Sequence, residues 1–339
     1  MNGSKRSWNR YWTLGSLAVI FAAAAAAMAI GRFTIAPKEL AAVLIPGSFP
    51  DVQVSGQVRT VISNIRFPRV VLALLSGAGL AAAGAAFQGL FANPLATPDT
   101  LGAANGASFG AVLGILLGLP AFGIQTLAMI TGVAAVLMAW SVAQVRGTIP
   151  LLMVILAGMV VSPLFSALVS LVKYAADPQD VLPSITYWLM GSMASTTRTT
   201  LIMGAPFILA GSLLLFLLRW KLNTMSLPED EAKSLGIPVK RIRSLVILGA
   251  AMVTAAVVSM CGQIGWIGLL IPHMVRMIFG NDNRSVVPAS MASGALFMLI
   301  IDTAARSVMA TEIPVSILTS LIGAPCFILL LRKTGGIRL

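Results

Sequence analysis

Apolar runs long enough to cross a lipid bilayer recur along almost the whole chain, and nothing else narrows the fold as much. A hydrocarbon core about 30 Å thick requires roughly 20 apolar residues per helical span. Such segments fall near 12–31, 67–90, 103–119, 122–144, 150–173, 202–219, 244–262, 264–279, 286–303 and 313–331. They predict ten transmembrane helices in a single domain over residues 1–339. The 264–279 segment is short and carries Pro272. A membrane β-barrel would show short segments of alternating polarity. The run over 14–30 shows no such alternation. The fold class is an all-α polytopic membrane protein. Composition agrees: 58% of residues are hydrophobic and 10% charged, and mean hydropathy is +0.92. Soluble domains run at about 45–50% and 25%. An ordinary soluble enzyme, a disordered chain and a collagen-like fibre are excluded.

The net charge of +12 fits the positive-inside rule better than nucleic-acid binding, because no basic patch carries interleaved aromatics. Lys5, Arg6 and Arg10 precede the first apolar run, which reads as an uncleaved first helix. An even number of spans puts both termini on one side. With the termini in the cytoplasm, fifteen Lys and Arg fall on the cytoplasmic side and eight outside. That bias predicts cytoplasmic termini in the cytoplasmic (inner) membrane. Cys261 and Cys326 lie in apolar segments and read as small buried hydrophobes.

Residues 221–243 form the most polar stretch and fall on the cytoplasmic side. Ser226 with Glu229 fits a capping box, Pro228 suits a first helical turn, and Glu229, Asp230 and Glu231 favour a helix N-terminus. Gly236 followed by Pro238 reads as a stop. These signals predict a short helix over about 227–235.

Several chemistries are missing. No Gly-Lys pair occurs, so no Walker A loop is present, and the single histidine, His273, cannot build a His cluster for a metal. No Cys-x-x-Cys appears. The chain is expected to have no catalytic, cofactor or metal site of its own. Asp302 is the clearest acid within a span, and Arg306 one turn on reads as its ion-pair partner. Pro272 frees a helix carbonyl to which His273 can bond. Glycines at 102, 106, 110, 114 and 118 lie on one helix face and predict close helix packing.

Specific blocks follow one another along the chain. Arg66-Phe-Pro-Arg69 precedes an apolar helix, then Gln88-Gly-Leu-Phe-Ala-Asn-Pro-Leu-Ala-Thr-Pro98 and Leu101-Gly-Ala-Ala-Asn-Gly-Ala107. Trp188-Leu-Met-Gly-Ser192 comes next, then Gly262-Gln-Ile-Gly-Trp-Ile-Gly-Leu-Leu-Ile-Pro-His273 with Arg276. Gly280-Asn-Asp-Asn-Arg284, Asp302 with Arg306, Glu312-Ile-Pro-Val315 and Gly323-Ala-Pro-Cys-Phe327 complete the set. Over about 60–335 the chain resembles the FecCD-type permease family of bacterial and archaeal ABC importers for ferric siderophores, haem and cobalamin. The Asn-Pro-Leu-Ala and Gly-Leu-x-x-Pro-His blocks together carry that resemblance.

The resemblance implies a type II ABC importer permease fold with ten helices, working by alternating access. It implies a second permease subunit, as a homodimer, two cytoplasmic ABC ATPase subunits and an extracytoplasmic substrate-binding protein. It points to Pro228, Glu229, Ala232, Leu235 and Gly236 as the ATPase coupling element. By the same route Arg66, Arg69 and Arg306 become docking sites for the binding protein, and Thr148, Leu151 and Leu152 are gate candidates by position. The expected cargo is a metal chelate, with ferric siderophore first; haem, cobalamin and an oxyanion such as molybdate or tungstate stay open. The chain departs from the family pattern at Gln263, Trp266, Asn283 and Ser316. An ion-coupled secondary transporter is the rival from another class. It would need ionisable residues deep in the spans, and they are sparse.

Overall fold

The computed structural model describes residues 10–45, 47, 49–144, 150–227 and 229–333. Among the described residues every regular element is helical. Among the described residues seven helices are long and apolar enough to cross a membrane, and three shorter apolar ones accompany them. All ten fall on the segments expected from hydropathy.

The chain begins with α1 (Arg10–Ala29) and the short surface helix α2 (Pro37–Leu44). Next, α3 (Gly56–Thr60), a π-helical turn over Val61–Arg66 and α4 (Phe67–Leu90) form one continuous rod. Pro68 has no N–H to give the preceding turn, and the wider π turn absorbs that loss. A 3₁₀ turn at Pro98–Leu101 leads into α5 (Ala103–Leu116), α6 (Ala121–Ala143) and α7 (Leu151–Ala175). The short α8 (Val181–Leu189) precedes α9 (Arg198–Leu222). A 3₁₀ turn at Thr224–Ser226 and the small α10 (Glu229–Ser234) connect it to α11 (Val239–Cys261). The bundle ends with α12 (Ile267–Phe279), α13 (Asn283–Ser307) and α14 (Val315–Lys333).

At the centre lie α4 and α11, most of whose residues are buried, whereas α1 buries few of its residues. The centre is built from small residues. With no apolar–aqueous contrast between helices in lipid, close van der Waals packing replaces the hydrophobic drive. A Cβ on Gly77 of α4 would strike the carbonyl of Gly294 of α13, and the reverse holds. Gly84 meets the carbonyl of Gly268 on α12 in the same way. The glycine stripe on α5 divides by position. Gly106, Gly110 and Gly114 pack against α6, as the spacing predicts. Gly102 and Gly118 flank the helix with φ of 80° and 65°, which glycine adopts without strain.

Candidate functional site

Two clusters occupy opposite ends of α4. At its C-terminal end, Leu90 packs into the same small cavity as Leu151, Met225, Ala232, Val239 and Arg243, beneath α10. Ala232 is 1% exposed and roots α10 there. The helix starts at Glu229 and stops where Gly236 turns left-handed (φ 72°), with its N–H on the Lys233 carbonyl at 2.9 Å. It is shorter than the 227–235 expected. Pro228, and the side chain of Ser226 that the capping box requires, lie outside the described residues.

The Glu229 carboxylate holds the knob in place. It accepts from Lys233 Nζ at 2.9 Å, one turn on, and pairs with Arg243 Nη2 of α11 at 3.3 Å. The Lys233 hydrogen bond, aided by Arg243, keeps the Glu229 carboxyl below the usual carboxylate range. Leu235 is 66% exposed, and Asp230, Glu231 and Gly236 are exposed beside it. Of the expected coupling residues, Ala232 faces inward, Glu229 braces the helix, and Leu235 and Gly236 are presented outward. Sequence reasoning did not single out Asn223 in this loop. Its Nδ2 donates to Asp282 Oδ1 at 2.6 Å, and its Oδ1 accepts from the Asn283 N–H at 2.8 Å. One amide thereby pins the end of α9 to the start of α13, and its family-departing partner Asn283 also accepts from Arg276 at 2.9 Å.

Of the gate candidates, Thr148 lies outside the described residues. Leu151 is half-buried and Leu152 is 65% exposed. Both line a cavity of about 280 Å³ with Phe91, Asn93, Leu95 and Thr100.

At the other end of α4 stand the arginines expected to dock a binding protein. Arg66, Arg69 and Arg306 are 4%, 5% and 7% exposed, and their N–H groups are committed inward. Arg66 donates to the carbonyls of Met28 at 2.6 Å and Ala29 at 2.9 Å, and to that of Phe33. Arg306 donates to the Ile30 carbonyl at 2.8 Å and to that of Ala27. The last carbonyls of α1 have no partners within the helix, and the two guanidinium groups supply them. Gly31 leaves room, since a Cβ there would lie 2.7 Å from Arg66 Nη2. Arg69 forks between Asp302 and Glu312. Exposed cations at this end include Arg32, Lys38, Arg59 and Arg198. The ion pair expected between Asp302 and Arg306 is present at 3.5 Å, but Arg69 holds Asp302 more closely, at 2.8 Å.

His273 makes no hydrogen bond to a freed carbonyl. Both ring nitrogens are buried with no partner among the described residues, and the ring meets Phe327 edge-on at 6.0 Å. Gln263 links α5 to the α11–α12 turn by donating to Asn105 and Ser108 at 3.1 and 3.0 Å. Trp266 stands in a left-handed conformation (φ 72°), and its ring fills the space that Gly323 leaves open. Among the described residues no group of three or more His, Cys, Asp or Glu could hold a metal.

Comparison with known proteins agrees with this architecture. The profile of the FecCD transport family matches residues 17–333. The molybdate import system permease protein MolB of Haemophilus influenzae is 40% identical over 307 residues, 90% of each chain. A probable iron chelatin transport system permease protein of Helicobacter pylori is 37% identical over 82% of this chain and 84% of the relative. A solved inward-facing structure of a putative metal-chelate type ABC transporter superposes with a TM-score of 0.86 at 38% identity, covering 96% of this chain and all of the other. Permeases of this kind carry no nucleotide site, and hydrolysis takes place on a separate subunit. By profile, by sequence and by fold, this multi-pass membrane protein belongs to the FecCD transport family of ABC importer permeases.

Proposed function

We propose that this chain is the translocating subunit of an importer for a metal chelate, a ferric siderophore foremost, driven by ATP hydrolysis on separate subunits. The observation that carries the coupling is α10, a braced knob that offers Leu235 and three acids to solvent from the end of α4 and α11. In this reading α10 faces the cytoplasm, both termini lie on that side, and the membrane is the cytoplasmic one. Two ATPase subunits grip the α10 knobs of a permease homodimer, and ATP binding exchanges an outward-open path for an inward-open one. A binding protein delivers cargo at the Arg69–Asp302 end. Leu151 and Leu152 act near the inner gate, and Thr148 belongs with them.

A second cargo, molybdate or a like oxyanion, is favoured by the similarity to the Haemophilus influenzae permease. Haem and cobalamin remain within the family's range. The test is cargo-stimulated ATP hydrolysis and uptake in liposomes holding this permease with its ATPase and binding protein. The panel is a ferric siderophore, haem, cobalamin and molybdate. Stimulation and uptake with the siderophore support the first reading, and with molybdate the second. Uptake without nucleotide overturns both.

A further inference from the structure

A groove of about 870 Å³ opens between α1, α12 and α13. It lies at the end of the bundle that carries α10, where Asn223 bonds the start of α13. The first helix is tied down on either side of it. At one end Trp12 meets Phe279 of α12 edge-on, with ring centroids 5.3 Å apart. At the other, Arg66 and Arg306 hold its last carbonyls. Between these ties small side chains leave the space: Gly15 and Ser16 on α1, Ala292 and Ser293 on α13. Nothing lies within 4 Å of a Cβ on Gly15.

The dimensions say what fills it. From Tyr11 to Ile20 the groove follows α1 for nine residues, about 14 Å at the rise of a helix. One leaflet of a hydrocarbon core about 30 Å thick is about 15 Å deep. The groove therefore runs from headgroup level to the midplane, which is the course of one acyl chain. Water is a poor occupant, because it needs two to four polar partners. Ser16 has already turned its hydroxyl back to the Thr13 carbonyl at 2.9 Å. At the mouth stand Tyr11 and Trp12, the residue types that settle at headgroup level. The charge there is positive. Arg10 is exposed next to Tyr11, and Arg284 is exposed one residue into α13, its guanidinium 4.1 Å from the Trp220 ring. Neither arginine has an ion pair among the described residues. Asp282, beside Arg284, already accepts from Asn223 at 2.6 Å. Lys5 and Arg6 add two cations just before α1 in sequence.

We propose that this groove is the site of a resident phospholipid with an anionic headgroup, one acyl chain lying between α1 and α13 and the headgroup at the level of Arg10 and Arg284. In the orientation proposed above, that is the cytoplasmic leaflet. The chain fills the space that holds α1 off the bundle. Neither cargo nor nucleotide takes part, so the site stands apart from the transport reading.

The test uses full-length permease in phosphatidylcholine liposomes. Dibrominated phosphatidylcholine or dibrominated phosphatidylglycerol is titrated in as a quencher. Trp12 lines the groove, and the difference between wild type and Trp12→Phe isolates its emission, because phenylalanine keeps a ring against Phe279. Half-maximal quenching of Trp12 is expected at an about fivefold lower mole fraction of the phosphatidylglycerol, the factor that one surface cation gives an anionic lipid. Arg10→Gln with Arg284→Gln is expected to bring the two titrations together. Equal quenching of wild type by both lipids overturns the anionic site. Gly15→Leu with Ser293→Leu closes the groove from both sides, and is expected to cost the purified permease one phospholipid retained through detergent exchange. Unchanged retention overturns the groove as the place. Should that variant fail to fold, the quenching of wild type still decides. Quenching that appears only after residues 2–9 are deleted would mean that this segment fills the groove, and would overturn the lipid.

Discussion

Arg69 Nε lies 2.8 Å from Asp302 Oδ1, and the other edge of the same guanidinium lies 2.9 Å from Glu312 Oε2. One side chain therefore ties α4 to α13 and to the loop before α14. Asp302 is fully buried, and without it Arg69 would stay charged and buried with Glu312 as its remaining carboxylate. Breaking a buried pair from one side costs about 3–5 kcal/mol. Asp302→Ala is expected to lose roughly that much in denaturant unfolding of the purified permease. Arg69→Met with Asp302→Leu is expected to recover part of the loss, because both members of the closest pair go together, although Glu312 and Arg306 each lose a partner. An Asp302→Ala variant as stable as wild type would refute the clasp.

Arg66 gives a second test at the same end. Its guanidinium serves the carbonyls of Met28, Ala29 and Phe33. Little else of α1 is buried, so these bonds and those of Arg306 fasten its end. Arg66→Ala orphans buried carbonyls at about 1–3 kcal/mol each. Faster hydrogen exchange over residues 27–33, with the rest of the bundle unchanged, is the expected result. Equal exchange in both proteins would show that the cap is not needed.

The glycine contacts predict a sharp contrast. A Cβ at Gly84 would collide with the Gly268 carbonyl, and neither backbone can step aside without moving α4 or α12. Overpacking of this kind costs about 1–3 kcal/mol. Nothing lies within 4 Å of a Cβ at Gly15. Gly84→Ala should lower the unfolding midpoint and Gly15→Ala should leave it unchanged or raise it slightly, since alanine is the better helix former. Equal effects would contradict the α4–α12 packing.

The helices were legible because hydropathy is a local property, and even the short 264–279 segment emerged as α12. The start and stop of α10 were legible for the same reason, in three acids at one end and Gly236 at the other. What the sequence hid was partnership at a distance. Arg66 and Arg69 read as charges at a helix end, and charge near a membrane surface suggests exposure. Only the folded chain shows Met28 or Asp302, the latter 233 residues from Arg69, reaching them. The Asp302–Arg306 spacing was visible as one helical turn, yet the closer partner was not.

His273 carries a cost with no visible return. Two buried ring nitrogens without partners forfeit hydrogen bonds they would make in water. Phenylalanine keeps an aromatic ring against Phe327 and has no polar atom to strand. His273→Phe is expected to be as stable as wild type or about 1 kcal/mol more so. A clear loss of stability would mean that His273 is hydrogen-bonded in the membrane-embedded protein.

The last prediction concerns α10. Lys233 and Arg243 hold the Glu229 carboxyl below its ordinary value, so the stabilisation from its ionised form is complete above the ordinary glutamate range, about pH 4.3. It is lost only as pH falls through the lower folded value. Between pH 6 and 8 the knob therefore keeps one charge state, and coupling should not vary through Glu229. The Lys233 pair is exposed and worth little to global stability, whereas Arg243 is buried in α11. Glu229→Arg sets three cations together at the root of α10, and Leu235→Asp removes its exposed apolar tip. The double variant is expected to insert and fold with a near-normal unfolding midpoint, yet to lose cargo-stimulated ATP hydrolysis with its partner ATPase. Normal stimulation would remove α10 from the coupling path. A lowered midpoint would instead show that Glu229 chiefly holds the bundle together, because Arg243 is rooted in α11.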